Sequence, residues 1–288
     1  MQMITACNNS NSSYNHISQL YDSQHEITWC VMRQTTRPAF TKELLDELLD
    51  FQHSLIANAN TTSEAAIEPT RFMVFCSAVD ETFSLGGDLA LFAELIRNND
   101  EDSLRDYAKL SIEVLYNNAV AYNLPLTTIA LVEGDAIGAG FEAALSCDYI
   151  IAERGSRVGF PESLFGLFPG MGAHSFISRK IEVAKIEKMI LSGRLYSAEE
   201  MYEMGLIDQL IDRGEGQEAV LRLVTRKARK LGLVKSLRDA RMMLNPVSLD
   251  ELLCIADIWV KSAMKLTERE LKVMDRLVRA QEKKYNAT

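Results

Sequence analysis

Apolar residues recur along this chain in two rhythms. Short runs such as HEITWCVMRQ (25–34), RFMVFCSA (71–78), TTIALVEG (127–134) and DYIIAE (148–153) are rich in β-formers and predict strands. Longer stretches repeat at helical spacing. FTKELLDELLDFQHSLIANAN (40–60) predicts a helix that Thr41 can cap. LALFAELIRN (89–98) predicts another, and EDSLRDYAKLSIEVLYNNAVAYN (101–123) predicts a long amphipathic one, with acidic residues where the helix dipole favours them. The alternation continues through a glycine turn, a helix at FEAALSC (141–147) and a short strand at RVGF (157–160). Strands alternating with helices argue for α/β units around a buried sheet.

From about residue 174 the rhythm changes. ISRKIEVAKIEKMILSG and SAEEMYEMG read as helices, and LIDQLID reads as a short strand or turn. From about 216 nearly everything has helical period. The expected division is a polar N-terminal arm over 1–24, an α/β core over 25–215 and a helical region over 216–288.

Composition changes this picture little. With 288 residues, 47% apolar and 25% charged, the chain can bury one large core. No apolar run approaches the roughly 20 residues needed to span a bilayer. The opening MQMITACNNSNSSYNH lacks the basic and apolar regions of a secretory signal. Five scattered cysteines with no CxxC pair or His/Cys cluster suggest reduced thiols in a cytoplasmic protein and no metal site. A net charge of −9 argues against nonspecific nucleic-acid binding. RKARKLGLVKSLRDAR (226–241) and RLVRAQEKK (276–284) are basic exceptions, read either as solvated helix faces or as docking sites for an acidic partner.

The candidate chemistry lies in three glycine-marked segments. FSLGGDL (83–89) ends a strand in two glycines before a helix, so backbone amides there can meet developing negative charge. Asp88 reads as the residue that organises this turn. GDAIGAGFEAALSC (134–147) repeats the arrangement and places Glu142 on an apolar helix start, where a carboxylate is costly unless it is paired or functional. GFPESLFGLFPGMG (159–172) holds Glu162 between apolar segments. Desolvation there would bring a carboxyl into the range useful for proton transfer near neutrality. His174 is the only histidine nearby, but no nucleophile elbow accompanies it. Met171 and Trp259 read as core residues that could line an acyl pocket.

These ordered motifs resemble the crotonase (enoyl-CoA hydratase/isomerase) superfamily, and within it the diffusible signal factor synthases. LGGDLALFAELIR (85–97), GFEAALSCDYIIAE (140–153), LFPGMGAHSF (167–176) and MDRLVRAQ (274–281) carry the closer resemblance. It implies a spiral of ββα units with a helical C-terminal portion that assembles trimers. It places Glu142 and Glu162 on the two acid/base positions and the N–H groups of Leu85 and Ala139 in an oxyanion hole. Gly86, Gly138, Met171 and Trp259 are expected beside the substrate. The implied reaction is dehydration of a 3-hydroxyacyl thioester on acyl carrier protein, then thioester hydrolysis to a cis-2-unsaturated fatty-acid signal. The substrate brings its own phosphopantetheine, and no other cofactor is expected. A sensor kinase is an expected partner. The alternatives are a catabolic hydratase or isomerase acting on CoA thioesters, and a crotonase-fold binding partner without turnover.

Overall fold

The computed structural model describes residues 14–33, 37–59 and 69–285. Its frame is a six-stranded sheet in the order β1 (Ile17–Asp22), β2 (Ile27–Met32), β3 (Phe72–Ser77), β5 (Thr127–Val132), β7 (Tyr149–Glu153), β10 (Gln209–Ile211). Only the β1–β2 pair is antiparallel; every other neighbour is parallel. Parallel strands are covered on both faces, which is why β2 and β5 are buried at every position.

A second sheet is built of three-residue strands in the order β4 (Thr82–Ser84), β6 (Asp135–Ile137), β8 (Arg157–Gly159), β9 (Leu195–Ser197). Three of the long strands, β3, β5 and β7, thus hand the chain to a short strand and then to a helical turn. β3 and β4 lead to α2 (Leu89–Arg97), β5 and β6 to α4 (Ala139–Leu145), and β7 and β8 to a 3₁₀ turn at Pro161–Phe165. This is the ββα repeat that the resemblance implies.

Helix α1 (Lys42–Ala59) begins as expected, with the Leu44 N–H donating to Thr41 Oγ1 at 3.3 Å. Helix α3 (Glu101–Ala119) packs between α1 and α10 (Leu249–Ala263). The remaining helices are α5 (Ala173–Ile177), α6 (Val183–Ser192), α7 (Ala198–Glu203), α8 (Gly216–Ala228), α9 (Leu231–Leu244) and α11 (Glu268–Tyr285). The C-terminal portion is accordingly helical, as expected, and α11 closes back onto α2. Among the described residues no helix is long and apolar enough to cross a membrane.

Side chains on the two faces of the large sheet enter separate cores. Cys30, Met73, Phe75, Ala130 and Ile150 belong to the main one, shared with α1, α3 and α4. Trp29, Val31, Val74, Leu131 and Ile151 point the other way and are covered by Ala219, Val220, Leu223 and Val224 of α8.

Several expectations shift. Residues 17–22 of the anticipated arm form an edge strand, hidden in the sequence because only Ile17 and Ser18 are fully buried. Residues 1–13, Cys7 among them, lie outside the described residues. The continuous helix read through ISRKIEVAKIEKMILSG is interrupted: α5 ends at Ile177, and Glu182, with φ −65° and ψ 137°, precedes α6. β6 and β9 are too short to show a period of two.

Candidate active site

The two glycine turns meet at the start of α4. A Cβ on Gly86 would stand 3.0 Å from the Ile137 carbonyl oxygen and 3.6 Å from the Ala139 nitrogen, and one on Gly140 would stand 2.6 Å from Ser84 O. Only chain without side chains lets these segments approach so closely.

At the first turn, nearly every amide is committed. The Leu85 N–H donates to the Pro38 carbonyl at 2.6 Å, the Gly86 N–H to Ser84 Oγ at 3.2 Å, and the Asp88 N–H to the Tyr107 hydroxyl at 3.5 Å. Gly87 remains, with its N–H unclaimed by any described residue. The peptide joining it to Gly86 is held from behind, because Gly86 O accepts the Phe40 N–H at 2.7 Å. In a trans peptide N–H and C=O point opposite ways, so the Gly87 N–H faces away from that anchor. The oxyanion donor expected at Leu85 is corrected accordingly: its N–H is spent on Pro38, and Gly87 is the available one.

The second turn supplies a matching group. Gly138 donates to Gly159 O at 2.8 Å, while its own carbonyl accepts the N–H groups of Phe141 and Glu142. The next N–H, that of Ala139, has no partner among the described residues, as expected of the first residue of a helix.

Glu142 lies one turn into α4, whose seven residues are all buried. It is 1% exposed, and its Oε1 accepts the Met171 N–H at 2.8 Å and the Ala173 N–H at 2.9 Å. Burial pushes its carboxyl up to about 7, with those amides and that of Gly172 pulling the other way. Glu162 reaches the same place from the 3₁₀ turn. As a residue it is half-buried, but its Oε2 is sealed from solvent and has no partner among the described residues. Burial first, and then the charge of Glu142, raise its carboxyl to about 8.

Both glutamates border one cavity together with Gly87, Ala139, Met171 and Trp259. Its walls are otherwise largely apolar: Leu89 and Phe92 from α2, Tyr107 and Ala108 from α3, and Phe165 and Leu167 beside Glu162. Trp259 packs edge-on against Phe92, with centroids 5.1 Å apart, and covers Gly170, where a Cβ would meet its ring at 2.5 Å. Gly86 and Gly138, expected beside the substrate, are not among the lining residues; they are the close-approach points behind the wall.

Asp88 organises its turn as expected, accepting the Leu91 N–H at 3.2 Å as the cap of α2. His174 stands outside the cavity lining, its ring edge-on to Phe168, and burial lowers its pKa. Sequence reasoning missed Gly87 and Tyr107. Gly87 stood in the right motif two residues on from Leu85, whereas nothing local marks Tyr107.

Two carboxyls titrating near neutrality, opposite two unpartnered amides in an apolar cavity, can move protons beside a carbonyl whose oxygen gains negative charge.

The chain is similar to known proteins in sequence and fold. A model of the enoyl-CoA hydratase/isomerase family matches residues 28–245. The enoyl-CoA isomerase/hydratase fer4 of Mycosarcoma maydis is 30% identical over 194 residues, 66% of this chain and 68% of that protein. The 2,3-dehydroadipyl-CoA hydratase of Escherichia coli K12 is 36% identical over 115 residues, 40% of this chain and 44% of the relative, so less than half of that relative is matched. The crystal structure of an enoyl-CoA hydratase/isomerase from Xanthobacter autotrophicus Py2 superposes with a TM-score of 0.75 at 20% identity, covering 96% of this chain and 97% of the other.

Proposed function

Because the chain belongs to the enoyl-CoA hydratase/isomerase family, we propose that it adds water to, and removes it from, the 2,3-position of an acyl thioester, with CoA as the carrier. The observation that carries this reading is the cavity itself, where Glu142 and Glu162 stand with the unpartnered N–H groups of Gly87 and Ala139. The names of the two relatives above, an enoyl-CoA isomerase/hydratase and a 2,3-dehydroadipyl-CoA hydratase, support CoA as the carrier.

The roles follow from the two environments. Glu142, held by amides that favour its anion, is the carboxylate of the resting pair, and Glu162, whose sealed Oε2 has no donor and whose charge would meet that of Glu142, holds the proton. In hydration Glu142 takes a proton from the water whose oxygen bonds to C3. Glu162 delivers its own proton to C2 as the enolate collapses. The Gly87 and Ala139 amides hold the thioester oxygen while it is negative; losing one such donor typically costs roughly 3–4 kcal/mol of transition-state stabilisation. Dehydration runs the same transfers backwards. Phosphopantetheine arrives on the substrate.

A second reading rests on the resemblance of LGGDLALFAELIR and LFPGMGAHSF to segments of diffusible signal factor synthases. On it, the substrate is a 3-hydroxyacyl group on acyl carrier protein, and hydrolysis after dehydration releases a cis-2-unsaturated acid. Matched 3-hydroxyacyl-CoA and 3-hydroxyacyl-carrier substrates, with products identified by mass spectrometry and NMR, separate the two. Reversible hydration of trans-2-enoyl-CoA without free acid supports the first reading. Free cis-2 acid from the carrier substrate alone replaces it with the second, and no turnover of either thioester sinks both.

A further inference from the structure

We propose that the ion pair between Arg37 and Asp88 is a positioning device that aims the Gly87 N–H at the substrate carbonyl, an inference that rests on the functional reading above. Arg37 Nη2 meets Asp88 Oδ1, and the side chains are only 16% and 13% exposed. An ion pair this sheltered is screened little by solvent, unlike a surface pair.

What it joins is the reason for assigning it a role. Arg37 opens the short segment 37–40, which holds the first glycine turn at several points. Pro38 O accepts the Leu85 N–H and the Ser84 hydroxyl, the latter at 3.3 Å. The Phe40 N–H holds Gly86 O, and Phe40 O accepts the Tyr107 hydroxyl at 2.6 Å. Asp88, on the other flank of Gly87, receives Arg37 while capping α2.

The plane that carries the Gly87 N–H is therefore gripped on both sides by one segment: by the Phe40 amide at Gly86 and by the Arg37 side chain at Asp88. Glycine has no side chain of its own to fix that plane, so its orientation comes from outside. Releasing Arg37 loosens segment 37–40 from Asp88, and the donor loses its aim without leaving the cavity.

The test uses the full chain and a trans-2-enoyl-CoA labelled with ¹³C at the thioester carbonyl. Asp88→Asn is the informative variant, because asparagine caps a helix as well as aspartate does but carries no charge for Arg37. Arg37→Gln and Arg37→Lys accompany it. The expected result for Asp88→Asn and Arg37→Gln is a kcat lower by about 10- to 100-fold with KM within about threefold. Difference infrared spectra should show the bound carbonyl band moving back toward its position in water. Arg37→Lys, which keeps the charge, should recover part of both.

If wild-type protein shifts the carbonyl band and turns over while Asp88→Asn does both equally well, the positioning role is wrong and the functional reading stands. A variant that loses activity with the band unmoved would make the pair merely structural, and also overturns the proposal. A wild type that neither hydrates the thioester nor shifts its band overturns the functional reading itself.

Discussion

Glu162 occupies the space that a side chain on Gly138 would need: a Cβ there would stand 2.3 Å from Glu162 Oε1. The position of the acid is thus set by the absence of an atom twenty-four residues earlier in the chain. Gly138→Ala should displace the carboxylate and lower kcat at least tenfold, beyond the roughly 1–3 kcal/mol of strain at φ 54° and ψ −125°. Gly155→Ala is the control. Its φ is +78° but nothing lies within 4 Å of the new Cβ, so it should show the strain and keep the activity. Equal kcat in the two variants would separate Glu162 from the chemistry.

Replacing either glutamate by glutamine removes a proton-transfer group while keeping its volume. Glu142→Gln and Glu162→Gln should each lose about 10²- to 10⁴-fold in kcat and keep the wild-type circular dichroism spectrum. Near-normal turnover in either variant would remove that residue from the mechanism.

Hydration needs Glu142 ionised and Glu162 protonated. With the carboxyls at about 7 and about 8, kcat/KM should follow a narrow bell with its maximum between those values. The two limbs belong to the pair as a unit, since each charge acts on the other. A profile flat from pH 6 to pH 9 would show that these groups do not govern the reaction.

The same shifts make the site a liability to stability at alkaline pH. Both carboxyls titrate above their ordinary values, so between about pH 4.3 and the folded values the native chain binds more protons than the unfolded one. Stability must therefore fall as pH rises through this window. Glu162→Gln, which has no charge to bury, should melt several degrees above wild type at pH 8.5, with the gap closing toward pH 4.5. A gap independent of pH would mean that the wild-type carboxyl is not strained by its burial.

The acids were legible because a carboxylate in glycine-rich, apolar sequence has few structural reasons to be there. The strands β2, β3, β5 and β7 were legible for a similar reason, as each is an apolar run that only a buried sheet accommodates. The amide donors were only half legible. FSLGGDL announced a turn, but which N–H it leaves unclaimed depends on the Pro38 carbonyl, forty-seven residues before Leu85. Tyr107 sits in an ordinary amphipathic helix and joins the site through Phe40. β6 and β9 owe their existence to pairing in the small sheet, which no local pattern records.

The large sheet separates the chain's two cores, and the cavity adjoins only one of them. Ile27, Val31, Val74 and Leu131 meet α8 on the far side, while Gly87, Ala139 and Glu142 belong to the near one. The far side therefore touches the cavity only through the sheet that both sides share. The outer surfaces of α8 and α9 carry Arg226, Lys235 and the exposed Leu233, Leu237 and Leu244, whereas Arg238 turns inward onto Asp148 and the Leu126 carbonyl. A load placed on that face would reach Glu142 only by bending the sheet, not by touching the cavity wall.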